Sequence, residues 1–234
     1  MTIPLEEYPR PSLTIDLAVF TVVDAGNAPQ LCLLVQDRTD PTGRALPGGF
    51  VHDRETVAQT VSRVLATKVG IDGELPSPPR LLRVFDDPDR DDRSWVVSVA
   101  HSLSLPEASL RGARGDLVPV RPDGRLEHEM GLLFDHDQIV EAALAALRER
   151  YDFRYRFRDT FPDPDRFLPP PYTTRQLRRL HEAVVGARLH KDNFARRMSP
   201  HLSAVQRNGQ PVMSEGMRGR PAALYRPKTN RSKT

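Results

Sequence analysis

The sequence predicts a mixed α/β domain followed by a small helix-turn-helix unit with a β-hairpin. Three observations carry that expectation. Short apolar, β-branched segments flank an amphipathic helical stretch in the first half. A pair of helices joined by a short turn occupies the last third. Charge separates the two: residues 171–234 hold 14 Lys and Arg against 3 Asp and Glu, net +11, whereas residues 1–170 hold 20 against 28, net −8. An acidic body with a basic tail domain suggests two jobs, and the basic part favours a polyanion, nucleic acid first. On charge alone, a solvated basic tail is the plainer alternative.

In the first half, LTIDLAVFTVV (13–23) and LCLLV (31–35) read as buried strands, with Gly26, Asn27 and Pro29 between them as a hairpin turn. Cys32 lies inside the second strand, which suits a buried, inert thiol. WVVSVAHSLSL (95–105) is a further strand, with Val97, Val99, His101, Leu103 and Leu105 on one face. Between 55 and 70 the period changes. Val57, Val61, Val64 and Leu65 make one helical face, and Gly70 is its stop. A later helix begins at Asp135, with Gln138 three residues on as a capping box and Ile139, Ala143 and Leu147 on the inner face.

Segment 161–171 has five prolines in eleven residues, so it is neither helix nor central strand and marks a boundary. The expected division is 1–160, a proline-rich linker 161–171, a basic domain 172–228 and a basic tail 229–234. With 22 prolines in 234 residues, against an average of about 5%, many loops are expected. No apolar run approaches the ~18 residues of a membrane span. MTIPLEEYPRPS lacks the basic start and apolar stretch of a signal peptide, and a lone cysteine forms no internal disulfide. A cytoplasmic protein with no membrane partner is expected.

The segment Leu46-Pro-Gly-Gly-Phe-Val51 carries the first chemical signal. Gly48 and Gly49 let backbone N–H groups come close to an anion, near a helix start that favours negative charge. Five residues separate Gly49 from Glu55 and seven separate Glu55 from Arg63, after which comes VLATKVGI over 64–71. This spacing resembles the Nudix hydrolase signature, and Gly49, Glu55, Arg63, Leu65, Gly70 and Ile71 match it. The resemblance implies an αβα sandwich, so the full expected architecture is α/β: a Nudix-like αβα sandwich followed by a winged helix-turn-helix. It also implies pyrophosphate hydrolysis with Mg²⁺ held mainly by helix glutamates. Those positions fall here on Val64, Thr67 and Lys68, which supply no carboxylate. Glu55 alone is a poor metal site and equally serves as a carboxylate at the helix start. The expectation is a retained fold without hydrolysis, with no catalytic residue, metal or cofactor. Lys68 offers either a fixed charge where the metal would sit or an ordinary surface lysine.

The run Phe85-Asp-Asp-Pro88-Asp-Arg90-Asp-Asp-Arg93-Ser-Trp95 looks like the Asp-Arg-Asp-Pro-Arg segment of ADP-ribose-type Nudix proteins, with Asp92 at the proline position. Its arginines suit phosphates, although an exposed charged loop reads the same way. The candidate effector set is Arg38, Gly48, Gly49, Phe50, Lys68, Arg83, Arg90 and Arg93.

The basic part opens with a capping box, Thr173 and Gln176, before a stripe of Leu177, Leu180, Ala183 and Val184 that ends at Gly186. A short turn leads into 189–198, where Phe194 and Met198 face inward and Pro200 closes the helix. Thr174, Lys191, Asn193, Arg196 and Arg197 are the candidate DNA contacts, as in a recognition helix in the major groove. Val205, Asn208-Gly209, Val212 and 222–226 are expected to form a wing hairpin. At its tip, Arg218 and Arg220 suit a narrow minor groove.

Together the halves resemble the Nudix-related transcriptional regulators of NAD metabolism, the NrtR family, through the degenerate Nudix segment, Asn193-Phe194, and Gly219-Arg-Pro-Ala222 with Leu224-Tyr-Arg226. The resemblance implies a homodimeric repressor of NAD synthesis or salvage genes. It would bind double-stranded operator DNA and be released by a small nucleotide effector, ADP-ribose or a related NAD metabolite. An active Nudix pyrophosphatase acting on ADP-ribose-like substrates is the alternative.

Overall fold

The computed structural model describes residues 4, 7–127, 131–152, 162–215 and 221–228. A mixed sheet forms its centre. β1 (Ser12–Val23) runs parallel to β6 (Val96–Ser104) and antiparallel to β2 (Gln30–Thr39). β3 (Thr42–Ala45) and β7 (Asp116–Pro119) extend the sheet through β2, β5 (Arg80–Phe85) pairs β6, and β4 (Gly48–Phe50) pairs β1. Strand β2 outruns the predicted 31–35 because its polar end, Gln36–Thr39, pairs with β3.

β1 is buried on both faces because successive side chains alternate. Ile15, Leu17 and Val19 pack with Val61, Val64, Leu65 and Val69 on one side. Ala18, Phe20 and Val22 pack on the other with Ile139, Ala143 and Leu147. β6 is buried on both faces too, so the single apolar face expected from its sequence is too simple.

The predicted 55–70 helix divides in two. α1 (Val57–Val64) is capped by Thr56, whose side chain accepts from the Gln59 N–H while Gln59 returns the bond. A π-helical turn, Leu65–Val69, follows and ends at Gly70 with φ +85°. Its wider carbonyls are satisfied from outside: Gln36 donates to Lys68 O at 2.7 Å and Arg114 to Ala66 O at 2.9 Å. α2 (His136–Tyr151) has its predicted inner face, but the predicted Asp135–Gln138 capping box is absent. The Asp135 carboxylate is taken by Arg90 instead, at 2.6 and 2.9 Å, and a charge-assisted bidentate pair outcompetes a cap.

Residues 162–171 are no loose linker. Phe167 and Leu168 are buried in the main core, and the Asp163 carboxylate accepts from Tyr151 Oη at 2.8 Å and Leu168 N at 2.7 Å. α3 (Thr174–Val185) carries the predicted Thr173–Gln176 capping box and stops at Gly186. α4 (Lys191–Met198) follows, and Pro200 sits within a 3-10 turn that prolongs it by three residues. The wing pairs β8 (Leu202–Ala204) with β11 (Tyr225–Pro227), and β9 (Gln206–Arg207) with β10 (Gln210–Pro211). Asn208 and Gly209 both have positive φ, as a two-residue hairpin of that strand twist requires. Leu177, Leu180, Val184, Phe194 and Met198 join the core that starts beneath β1, so the two domains share one apolar interior. Among the described residues no helix is long and apolar enough to cross a membrane.

Candidate functional site

A cavity of about 370 Å³ lies beside β1, β4 and the start of α2. Of the predicted effector residues, Arg38, Gly48, Gly49, Phe50, Lys68, Arg90 and Arg93 line it. Arg83 does not. It sits on exposed edge strand β5 and stacks on Phe85, with its guanidinium 4.3 Å from the ring centre. A second cavity of about 440 Å³ adjoins the first through Arg90, Asp91, Arg93 and Phe134.

The backbone of the two glycines is also used within the sheet. They form strand β4, with Gly48 opposite Asp16 and Gly49 opposite Ile15. A Cβ on Gly48 would lie 2.2 Å from Asp16 Oδ1 and 2.8 Å from Ile15 O. Gly48 therefore makes room for a buried carboxylate.

Asp16 was missed by sequence reading, yet a carboxylate inside LTIDLAVFTVV was a visible irregularity. It is buried and accepts from Ser98 Oγ at 2.7 Å, with Arg90 Nη2 and His136 Nε2 each at 3.4 Å. Burial by itself would raise its pKa, but His136, Ser98 and Arg90 hold it below the usual carboxylate value. Leu46 N–H donates to His136 Nδ1 at 2.9 Å, which leaves the ring proton on Nε2, facing Asp16. Arg90 is 7% exposed and bridges Asp16 to Asp135, so most of its charge is spent inside the protein.

Free positive charge remains around the cavity. Among the described residues, Arg38 Nε is buried without a hydrogen-bond partner and the Lys68 ammonium has none. Arg93 is bidentate to Asp91 but still 42% exposed. The Arg38 and Arg93 guanidiniums lie 5.6 and 5.1 Å from the centre of the Phe134 ring. Phe134 has φ +60°, a conformation that an L-residue holds only when its surroundings impose it. Phe50 is 45% exposed at the mouth. Cations with two reachable aromatic rings suit a nucleotide whose phosphates meet arginine and whose base stacks.

The magnesium implied by the Nudix resemblance does not fit these residues. Val64 is fully buried in the core, the Thr67 hydroxyl donates to Arg63 O at 2.7 Å, and Lys68 is a cation. Glu55 is bound by Arg63 at 2.7 and 2.8 Å and by the His52 N–H, which hold its carboxyl well below the usual range. Among the described residues no group of three or more His, Cys, Asp or Glu is placed to hold a metal.

In the basic domain, Lys191, Asn193, Arg196 and Arg197 are exposed on α4 while Phe194 and Met198 face the core. Arg196 donates to Asn193 Oδ1 at 3.3 Å. Thr174 is half-buried at the first turn of α3. Arg218 and Arg220 lie outside the described residues.

Site and basic domain are physically joined. Asp135 and His136 stand at the cavity, and α2 runs from them for about 24 Å at 1.5 Å per residue. At its far end Arg148 donates to Val184 O at 3.1 Å. The Tyr151 ring meets His181 edge-on at 4.8 Å, and His181 meets Phe194 of α4 at 5.2 Å.

Residues 14–138 match the family model of the NUDIX domain, and residues 165–226 match that of the NrtR DNA-binding winged helix domain. The ADPR responsive transcriptional repressor NtrR of Acinetobacter baylyi is 29% identical over 94% of this chain and 83% of its own length. The ADP-ribose pyrophosphatase of Methanocaldococcus jannaschii is 30% identical over 57% of this chain and 73% of its own length. The crystal structure of Shewanella oneidensis NrtR complexed with a 27mer DNA has a TM-score of 0.68 at 28% identity, covering 92% of this chain and 93% of that one.

Proposed function

The chain belongs to the Nudix family, and from that premise we propose that it is a transcriptional repressor of NAD synthesis or salvage genes whose Nudix domain senses ADP-ribose or a related NAD metabolite. The winged helix binds operator DNA, with Lys191, Asn193, Arg196 and Arg197 of α4 towards the major groove and Arg218 and Arg220 as further candidate DNA contacts. The chain acts as a homodimer on an inverted repeat, its half-sites about 10 base pairs or a multiple apart. Such a regulator works in the cytoplasm, where it meets its DNA.

One observation carries the reading: a cation-rich cavity at one end of α2, and the recognition helix reached through Tyr151 and His181 at the other. Phosphates entering the cavity compete with Asp91 for Arg93 and with Asp135 for Arg90. Each exchange acts on the first turn of α2 or on the loop beside it. The ligand gates DNA binding only in so far as it favours one of two arrangements of the winged helices. A pocket with phosphate-directed charge but no place for the metal serves binding, so the domain acts as a sensor and does not hydrolyse its ligand.

The similarity to an ADP-ribose pyrophosphatase favours a second reading, hydrolysis. It agrees with the first on the ligand and differs on its fate. The test is a gel shift of the full chain on the DNA upstream of its own gene, with ADP-ribose, NAD and nicotinamide mononucleotide titrated in. Release by one of them, recovered unhydrolysed, supports the sensor. Retained DNA together with cleaved nucleotide supports the enzyme.

A further inference from the structure

A larger cavity, about 850 Å³, opens at the seam between the two domains, away from the candidate site. Its size falls within the roughly 300–1,000 Å³ typical of small-molecule sites. Val22, Ala25, Phe167, Leu168, Tyr172 and Pro227 give it a mainly apolar wall. They come from the end of β1 and the turn after it, the packed proline segment and the residue that follows it, and wing strand β11, so an occupant touches both domains. Tyr172 is 1% exposed, yet its phenol oxygen has no hydrogen-bond partner among the described residues. An unsatisfied buried hydroxyl is unfavourable and stands out in a natural protein.

The charges around the cavity are not balanced in use. Its acids are already engaged. Asp24 accepts from the Asn27 side chain and the Ala28 N–H, Glu107 from the Asp24 N–H, and Asp163 from Tyr151 and Leu168. Arg111 and Arg226 make no side-chain hydrogen bond or ion pair among the described residues. The acids therefore point their oxygens at donors within the fold, and Arg111 and Arg226 are the charged side chains left to meet an occupant beside the apolar wall.

We propose that this cavity is a second ligand site, for an organic anion with an apolar body. The acid head pairs with Arg111 and Arg226, and the body lies against Val22, Phe167 and Leu168. The inference is independent of the nucleotide reading, since the two cavities share no residue. Neutral apolar molecules lack the group that the arginines select.

The test uses 8-anilinonaphthalene-1-sulfonate as the probe and the full chain. Expected is saturable fluorescence enhancement at one site per chain, displaced by decanoate but not by decyltrimethylammonium or ADP-ribose. Arg111→Ala combined with Arg226→Ala weakens it at least tenfold. Ala108→Trp, on the exposed part of the wall, blocks the probe and leaves the melting temperature unchanged. Non-saturable binding, affinity indifferent to these variants, or displacement by ADP-ribose overturns the proposal. So does conversion of a dimer to monomers by Ala108→Trp, which makes the cavity an interface between copies.

Discussion

Gly48→Ala and Gly49→Ala separate two roles for adjacent glycines. As an anion cradle, both would matter for ligand and neither much for folding. As built, they differ. The Gly48 Cβ would fall 2.2 Å from Asp16 Oδ1 and 2.8 Å from a backbone carbonyl, and neither can retreat freely. Asp16 is fixed by Ser98, Arg90 and His136. Overpacking a tight core costs about 1–3 kcal/mol, and disturbing a buried ion pair adds to that, up to about 3–5 kcal/mol if a partner is lost outright. We expect Gly48→Ala to lose about 3 kcal/mol, which at about 2–4 °C per kcal/mol lowers Tm by roughly 6–12 °C. The Gly49 Cβ meets Val64 Cγ2 at 3.2 Å, which needs a shift of a few tenths of an ångström, and Arg63 Nη1 at an ordinary 3.8 Å. That change should stay within about 1 kcal/mol. Adding Asp16→Ala to Gly48→Ala should cost less than the sum, because the clashing carboxylate is gone. Urea denaturation followed by circular dichroism measures all three. Equal, small losses for both glycines, with nucleotide affinity alone reduced, would refute the carboxylate role and restore the cradle.

Other expectations follow from the same geometry. Burial raises the Asp163 pKa to about 6 against an ordinary 3.8, so the folded state binds the proton more tightly and its stability falls as pH rises between those values. Relative to Asp163→Asn, the natural chain should lose up to about 3 kcal/mol from pH 4 to 7 in urea titrations, and parallel profiles would contradict this. Burial lowers the neighbouring His181 to about 4, and this works in the opposite sense: stability is lost as pH falls below the ordinary 6.5. Arg196→Ala or Arg197→Ala should weaken operator binding by about 1–3 kcal/mol if a base edge is read, and unchanged affinity in both excludes α4 as the reader. Incubation with Mg²⁺ and ADP-ribose should give negligible hydrolysis by chromatography, and chelator-sensitive turnover would contradict the reading of Val64, Thr67 and Lys68.

Periodicity made much of the fold legible. Ile139, Ala143 and Leu147, the Thr173–Gln176 cap and the Asn208-Gly209 turn stand where local pattern places them, because helical faces and positive-φ turns are decided by near neighbours. The misreadings came from contacts distant in sequence. Asp135 would cap its helix if Arg90, 45 residues away, did not take the carboxylate. The proline segment reads as a linker in sequence because its composition hides the burial of Phe167 and Asp163. The site was legible as a set of cations and glycines but not as a network. Nothing local marks His136 or Phe134 as site residues, and only the apolar surroundings of Asp16 in β1 marked it out. Arg83 lies outside the Asp-Arg run that singles out Arg90, and the strand that bears it carries it to the sheet edge.

The central claim is that one ligand site and one DNA site share a free energy. The direct measurement is calorimetry of ADP-ribose binding to the full chain, alone and saturated with operator DNA. Linkage requires DNA to weaken ADP-ribose by the same factor by which ADP-ribose weakens DNA, in the usual range of about 5–150-fold. We expect that reciprocal loss, diminished when α2 is uncoupled from α3 by Arg148→Ala. Identical ADP-ribose affinity with and without operator would contradict gating, however tightly either ligand binds.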